Sequence, residues 1–321
     1  MSDSAAGPLV TIGIATFNRL ERTLPAALAS ALAQTYPNLE VVVCDNASED
    51  GTDAFMAAQS DPRLRYHRHQ RNIGANANFN ACLERARGTW FLLLPDDDLL
   101  EPDFVERAMT ALGDASAGVL LGGMQVIDGS GEVTDRVRAP EAELGPAGLF
   151  LAWFARRTSF YLMSTLFHGE TLRAAGGFAS PEGLLQDVVA IARTAARRGY
   201  LPVPGVAGSF RRHEGNRGTA NHAVRWTRDA DHLLDVLRQE MPHDAKRLLA
   251  AGSPYLTAKC YRYVAAVPSL PERWRLYREI HRRLGRTYSP WFYLARRAIG
   301  GARTTARRLL WRQPPPATSE W

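Results

Sequence analysis

The sequence predicts an α/β protein with a parallel central sheet, followed by a C-terminal region made of helices. Short apolar runs alternate with helical patterns over roughly the first hundred residues, which is typical of a parallel sheet covered on both faces. From about residue 221 onward the patterns are helical only, with prolines between them. We therefore predict an α/β domain over 1–219, a basic helical region over 220–312 and a disordered tail over 313–321.

The individual elements follow from hydrophobic periodicity and from helix stop signals. Strands are predicted at 9–15, 39–44, 64–67 and 90–94, and helices at 20–34, 51–59 and 76–87. Residues 118–127 and 160–168 indicate further strands, and 186–198 indicates a helix that ends before Gly199. No internal repeat is visible, so a solenoid is not indicated.

Composition excludes several classes of protein. The 321 residues are 45% hydrophobic and 22% charged, which is ordinary for a globular protein and unlike disordered, collagen or coiled-coil chains. Three scattered cysteines are too few for a disulfide framework or a thiolate zinc site. No apolar run approaches the ~18 residues of a spanning helix, and no signal-peptide pattern opens the chain. We therefore expect a cytoplasmic protein.

Positive charge is concentrated near the C-terminus. The chain carries a net +6, but residues 280–319 hold nine arginines and no acidic residue, so the remainder is mildly acidic. Between Arg282 and Arg312 the arginines alternate with aromatic and leucine side chains. This pattern suits an anionic membrane surface, and it also suits a solvated helical face. No nucleic-acid-binding module is visible, so nucleic acid is not an expected partner.

Polar clusters follow three of the predicted strands, at 16–18, 45–48 and 96–98. In parallel sheets, ligands bind beyond the carboxyl ends of the strands. Three successive carboxylates, Asp96, Asp97 and Asp98, repel one another unless a cation neutralises them, and Mg²⁺ or Mn²⁺ would suit such oxygen ligands. The alternative is a solvated acidic turn that caps a helix starting near Pro102.

Two further features support a site at this edge. Asp45 follows a buried strand, where it could cap a helix or accept a hydrogen bond from a base or ribose. The segment 72–80 contains four asparagines and Gly74 before a helix. A turn with an N-cap explains one or two of these asparagines, but not four.

Four longer segments follow one another in a specific order and spacing, namely VTIGIATFNR at 10–19, LEVVVCDNASEDGT at 39–52, RNIGANANFNACLERARGTWFLLLPDDD at 71–98, and GGFASPEGLLQDVVAIARTAARRGY at 176–200. By these segments the N-terminal ~215 residues resemble inverting family 2 glycosyltransferases, which have the GT-A nucleotide-sugar fold. Members that build O-antigen or other surface polysaccharides are the most similar. The last hundred or so residues carry no recognised motif.

The resemblance implies a role for each matching residue. Asp187 corresponds to the catalytic base, although a carboxylate at a helix start is also favoured by the helix dipole alone. The aspartate run corresponds to the DXD motif, with Asp97 as the preferred metal ligand. The other implied positions are Thr16, Phe17, Asn18 and Asp45 for the base, Arg71 and Asn72 for ribose or diphosphate, Asp96 for ribose, Asp98 for metal, His213 for metal or phosphate, and Arg211 for phosphate. His213 and the arginines beside it could equally belong to an ordinary surface loop.

Two departures from the family pattern bear on these roles. Pro95 stands where the usual Asp-x-Asp-Asp-Leu pattern has its first acid, so the register of the metal-binding aspartates is open. Gln186 stands where such members usually have glutamate, although the matching base, Asp187, is retained.

The implied function is a metal-dependent inverting glycosyltransferase with Mn²⁺ or Mg²⁺ as cofactor. It would move a sugar from a UDP- or dTDP-sugar to a hydroxyl of a glycan or lipid-linked acceptor. One alternative is a non-catalytic nucleotide- or glycan-binding protein on the same fold. The other is a sugar nucleotidyltransferase, but that reaction calls for a glycine-rich phosphate loop where this chain has ThrPheAsnArgLeu at 16–20.

Overall fold

A computed structural model describes residues 7–141, 144–212, 220–265 and 267–295. His213, the basic stretch beyond 295 and the predicted tail lie outside the described residues. Within the described part, contacts define two compact units, one of 7–212 with 228–252 and one of 220–227 with 253–295. The contact-based units thus place 228–252 with the α/β unit, whereas the division predicted from the sequence changes region at 220.

The elements lie close to their predicted positions, with three additional strands. The strands are β1 (Val10–Thr16), β2 (Leu39–Asp45), β3 (Leu64–Arg68), β4 (Trp90–Pro95), β5 (Leu99–Leu100), β6 (Val119–Ile127), β7 (Val133–Val137), β8 (Thr165–His168) and β9 (Tyr200–Arg211). The helices are α1 (Leu24–Leu32), α2 (Thr52–Ala57), α3 (Ala75–Arg85), α4 (Phe104–Leu112), α5 (Gly145–Phe154), α6 (Gly169–Ala174), α7 (Gln186–Arg198), α8 (Ala220–Glu240), α9 (Ala245–Val264) and α10 (Leu270–Arg283). The sequence patterns did not indicate β5, β7 or β9.

The strands form one sheet in the order β3-β2-β1-β4-β8-β6-β9-β5, with β7 paired to β6. The prediction of parallel pairing is correct for β1 to β4. The rest of the sheet is mixed, because β8 runs antiparallel to both β4 and β6, whereas β9 runs parallel to β6. Apolar runs show that a segment is buried but not its direction, so the mixed sheet could not be read from them.

The strand order reverses at β1, which lies between β2 and β4. The parallel register pairs Thr16 with Asp45 across β1 and β2, and Ala15 with Pro95 across β1 and β4. The carboxyl ends of three strands therefore meet at one point. Such switch points are where ligands bind in open α/β sheets.

Helix α3 packs closely on β1 because a glycine lies between them. A Cβ atom at Gly13 would stand 2.8 Å from Cys82 Cβ and 2.9 Å from the Phe91 ring. A side chain at Gly13 would therefore push α3 away from the sheet. This close packing places the start of α3 beside the ends of β1 and β2.

The second unit has a core of its own. Tyr261 is fully buried, and its ring contacts Tyr277 and Tyr293. Ser253 donates a hydrogen bond to the carbonyl of Leu284, which links α9 to the end of α10. Among the described helices, none is long and apolar enough to cross a membrane.

Candidate active site

A cleft of about 500 Å³ opens where β1, β2 and β4 end beside the start of α3. We name it the strand-end cleft. Its lining combines strand ends, the asparagine-rich segment and two carboxylates. The lining residues are Ala15, Thr16, Phe17, Arg19, Asn46, Asn72, Gly74, Ala75, Asn78, Phe79, Pro95, Asp96 and Asp97.

The structure brings five of the predicted site residues together in this lining. They are Thr16, Phe17, Asn72, Asp96 and Asp97. Arg19, Asn46 and Phe79 also line the cleft, although the sequence analysis gave none of them an individual role. Their neighbours in the sequence were singled out, so adjacency to the strand-end motifs was the available signal.

Asp96 is held against the end of β1. Its carboxylate accepts a long hydrogen bond of 3.4 Å from the Phe17 N–H, and Arg19 Nε lies 3.9 Å from Asp96 Oδ1. Burial raises the pKa of Asp96 to about 6, and the charge of Asp97 acts in the same direction. The Arg19 charge opposes this rise, and a bound cation would lower the pKa of Asp96 further.

Asp98 faces another part of the sheet. It is 3% exposed, and its Oδ1 accepts a hydrogen bond of 2.9 Å from the N–H of Arg211 at the end of β9. The guanidinium Nε of Arg211 donates to the carbonyl of Asp97 at 3.3 Å. Burial raises the pKa of Asp98 well above its ordinary value, and the charge of Asp97 adds to this effect. Arg211 and Asp98 thus fix the backbone of the aspartate run.

The two cleft-lining carboxylates fit a cation that is shared with phosphate. Among the described residues, no three His, Cys, Asp or Glu side chains converge into a complete metal cluster. Mg²⁺ and Mn²⁺ are commonly held by only one or two carboxylates together with substrate phosphates. Asp96 and Asp97 supply such an incomplete set, and burial disfavours the anionic form of Asp96 when no cation is near.

Asp45 is fully buried below the cleft. One carboxylate oxygen accepts hydrogen bonds from Ser48 N–H at 2.9 Å and Ser48 Oγ at 2.5 Å, and the other accepts from Tyr66 Oη at 2.7 Å. Arg68 Nε lies 3.6 Å away. Asp45 therefore shapes the turn after β2, while the next residue, Asn46, lines the cleft.

Three of the four asparagines at 72–80 have defined partners. Asn72 Oδ1 accepts from Asn46 Nδ2 and from the Gly74 N–H, both at 2.8 Å, which ties the segment to the end of β2. Asn78 donates to the carbonyl of Cys44 at 2.9 Å. Asn80 bonds both the N–H and the carbonyl of Phe178, at 2.9 and 2.8 Å. The segment thus connects β2, the cleft and the chain before α7.

Asp187 is the second residue of α7 and is half-buried. The prediction of a carboxylate at a helix start is confirmed. The Oε1 atom of Gln186 beside it is buried and has no hydrogen-bond partner among the described residues. Asp187, Asn18 and Arg71 are not among the lining residues of the strand-end cleft.

The element order, the mixed sheet and the strand-end cleft define a GT-A type transferase fold. The glycosyl transferase family 2 model matches residues 11–187, and the chain belongs to this family. The match ends at Asp187. Everything after the start of α7 therefore lies beyond the family model.

Several proteins are similar to parts of this chain. A succinoglycan biosynthesis protein, ExoO, of Rhizobium meliloti is 38% identical over 120 residues, which cover 37% of this chain and 34% of that protein. An Escherichia coli UDP-Glc:α-D-GlcNAc-diphosphoundecaprenol β-1,3-glucosyltransferase, WfgD, is 29% identical over 133 residues, covering 41% and 52%. The chain therefore spans about a third to a half of the length of these relatives.

Solved structures share the fold over most of the chain. TarS of S. aureus in complex with UDP has a TM-score of 0.57 at 15% identity, covering 85% of this chain and 90% of that one. The mannosyltransferase PcManGT of Pyrobaculum calidifontis, in complex with GDP-Man and Mn²⁺, has a TM-score of 0.52 at 21% identity, covering 96% and 88%. At such identities the likeness shows the fold.

Proposed function

We propose that this protein is a metal-dependent inverting glycosyltransferase that uses a UDP- or dTDP-sugar. The acceptor would be a hydroxyl group of a glycan or a lipid-linked glycan. The observation that carries the proposal is the strand-end cleft, in which Asp96 and Asp97 face an asparagine-rich segment at the switch point of the sheet. The UDP complex of TarS and the donor named for WfgD support a nucleotide-sugar donor.

Asp187 would act as the base. In inverting transfer, an acceptor hydroxyl loses its proton while its oxygen bonds to the anomeric carbon and the bond to the nucleoside diphosphate breaks. The carboxylate of Asp187, in the first turn of α7, would accept that proton. Inversion follows from this single displacement.

Asp97 and Asp96 would hold Mn²⁺ or Mg²⁺. The ion would stabilise the negative charge that develops on the diphosphate leaving group. Asp98, which the resemblance also assigns to the metal, would hold the backbone of the aspartate run in place, since its carboxylate accepts a hydrogen bond from the N–H of Arg211. The Arg211 guanidinium would bind phosphate. His213, which is not among the described residues, would bind metal or phosphate.

The nucleoside would lie at the ends of β1 and β2. Phe17 is 42% exposed at the cleft and offers a ring face for a base, with Thr16 and Asn18 beside it. Asp45, to which the resemblance assigns the base, is fully buried in this structure, so it would act on the base through the turn after β2 that carries Asn46. Arg71 and Asn72 would lie near the ribose or diphosphate.

A ligand screen with and without Mn²⁺ tests this function. Melting temperatures would be measured with UDP-, dTDP- and GDP-sugars, each with Mn²⁺ and with EDTA. We expect a UDP- or dTDP-sugar to raise the melting temperature only when Mn²⁺ is present, because binding to the native state stabilises it. No stabilisation by any nucleotide sugar would contradict the proposal, and release of pyrophosphate from NTP and sugar phosphate would indicate a nucleotidyltransferase instead.

The basic region 282–312 would contact an anionic membrane surface. In its described part, α10 ends in His281, Arg282 and Arg283, and the side chains of Trp291 and Phe292 are 69% and 54% exposed. Basic residues with exposed aromatic rings favour the interface of an anionic bilayer.

Vesicle sedimentation tests this contact. We expect binding to phosphatidylglycerol vesicles that weakens with salt, and little binding to phosphatidylcholine vesicles. Trp291→Ala should weaken it, while Val133→Ala, which also removes an exposed apolar side chain, should not. Equal binding to both lipids would contradict the proposal.

A further inference from the structure

A buried carboxylate beyond the family match holds the chain that leads into the Asp187 helix. Asp229 lies in α8 and is fully buried. Its Oδ2 accepts hydrogen bonds from Ser180 Oγ at 2.8 Å, Leu184 N–H at 2.7 Å and Leu185 N–H at 3.0 Å. Its Oδ1 accepts from the Glu182 N–H at 2.8 Å. Four donors from one six-residue segment therefore converge on one side chain.

The segment 176–185, which we name the base loop, is held by side chains of other elements, since Asn80 of α3 and Asp229 of α8 both bond its backbone. Gly176, Gly177 and Gly183 all have positive φ angles, at 92°, 65° and 68°, so the loop uses backbone conformations that other residues rarely adopt. Leu185 is the N-cap residue of α7, and its side chain makes no capping hydrogen bond. The N-terminal end of α7 lacks the usual local cap, and Asp229 binds the backbone at that point instead.

Only two positions separate the backbone that Asp229 binds from the proposed base, Asp187. Asp229 fixes the N–H groups of Leu184 and Leu185, and Asp187 follows Leu185 by two positions in the same helical turn. Fixing the first backbone groups of that turn fixes where the Cα atom of Asp187 stands, and the carboxylate extends from that atom. Displacing a catalytic group by about 1 Å can cost about 100-fold in rate.

We propose that Asp229 is a positioning residue that sets the place of the Asp187 carboxylate. This inference rests on the proposed function, since it assigns Asp187 the role of base. Asp229 touches no residue of the strand-end cleft among its hydrogen-bond partners, so donor binding should not depend on it.

The test compares Asp229→Asn with Asp235→Asn. The first change replaces one carboxylate oxygen with an NH₂ group, which cannot accept a hydrogen bond. At least one backbone N–H of the base loop therefore loses its partner. Asp235 lies on the same helix and is 49% exposed in a pair with Arg238, so its change makes the same chemical replacement without touching the loop.

We expect Asp229→Asn to lower kcat by about 10- to 100-fold while the Kd for UDP in the presence of Mn²⁺ stays within twofold of wild type. Hydrogen exchange of the amides at 182–187 should accelerate, and Asp235→Asn should change none of these quantities. A merely structural role would lower the folded fraction and leave the kcat of the folded protein unchanged, and that result would overturn the inference.

If Asp229→Asn does not fold, Ser180→Ala decides the question. It removes one of the four hydrogen bonds and leaves the carboxylate in place. We expect a severalfold loss of kcat at unchanged UDP affinity, and a wild-type kcat would overturn the inference. A wild-type protein without transferase activity would overturn the proposed function instead, so the two failures can be told apart.

Discussion

The strand-end cleft and the base loop are built by different means. The cleft stands on parallel strands whose register brings Thr16, Asp45 and Pro95 together, and its carboxylates follow directly from β4. The base loop is held by side chains from distant helices, namely Asn80 of α3 and Asp229 of α8. The comparison predicts that donor binding and proton transfer, the roles proposed for these two regions, can be perturbed separately.

Replacing the proposed base should give the largest effect. Asp187→Asn keeps the size of the side chain but removes its ability to take a proton, so transfer should fall by about 1000-fold. The UDP Kd measured by calorimetry should stay within twofold, because the strand-end cleft is unchanged. Full activity in this variant would remove Asp187 from the mechanism.

Replacing the preferred metal ligand should give the opposite pattern. Asp97→Ala should weaken Mn²⁺-dependent UDP binding by about 100-fold, because the ion loses one of the two carboxylates that line the cleft. Asp114→Ala, which removes an exposed carboxylate after α4, is the matched control. Unchanged calorimetry with Asp97→Ala would contradict the ligand assignment.

Two asparagines on one helix sharpen the contrast further. Asn80→Ala removes both hydrogen bonds to Phe178 in the base loop, so we expect about a tenfold loss of kcat at unchanged UDP affinity. Asn78→Ala removes the bond to the Cys44 carbonyl and a contact of 3.0 Å with His69, so we expect about a tenfold loss of UDP affinity instead.

Steady-state kinetics and calorimetry on both variants decide this contrast. Asn78 lines the cleft and Asn80 does not, although the two lie within one turn of α3. If both changes altered the same parameter to the same extent, the base loop and the cleft would not be separate, and the comparison would fail.

The same contrast explains how much could be predicted from the sequence. The strands β1, β2 and β4 are apolar runs followed by polar clusters. The position of the cleft, and of the aspartates at its edge, was therefore predicted from the sequence. The local pattern was enough because parallel pairing places the carboxyl ends of neighbouring strands side by side.

The strand β9 and the role of Asp229 could not be predicted, because they depend on contacts between residues that are far apart in the sequence. β9 contains Pro202 and Pro204, which argue against a sheet strand. It nevertheless pairs with β6, where Pro202 lies opposite Leu121 in regular register and Pro204 lies in a register shift between Val203 and Val206. Asp229 lies on a helix without any motif, and its hydrogen-bond partners come 44 to 49 residues earlier. Only the tertiary structure brings such groups together.

The smallest expected effect concerns the buried support of the cleft. Tyr66 Oη donates to Asp45 at 2.7 Å, and burial together with the Asp45 charge raises the pKa of this phenol. Tyr66→Phe removes one donor from a buried carboxylate and should cost about 1–2 kcal/mol of the free energy of unfolding, measured with urea. Tyr36→Phe is the control, because Tyr36 donates to a neutral acceptor, the Pro8 carbonyl, and should cost less.

The UDP affinity of Tyr66→Phe then tests how the cleft is supported. Ser48 still donates to Asp45 through its N–H and its hydroxyl, so the turn after β2 should keep its shape and the UDP Kd should change less than about threefold. A loss of affinity as large as that expected for Asn78→Ala would mean that Tyr66 places Asp45 for the nucleotide. The strand-end cleft would then depend on a long-range side-chain contact just as the base loop does.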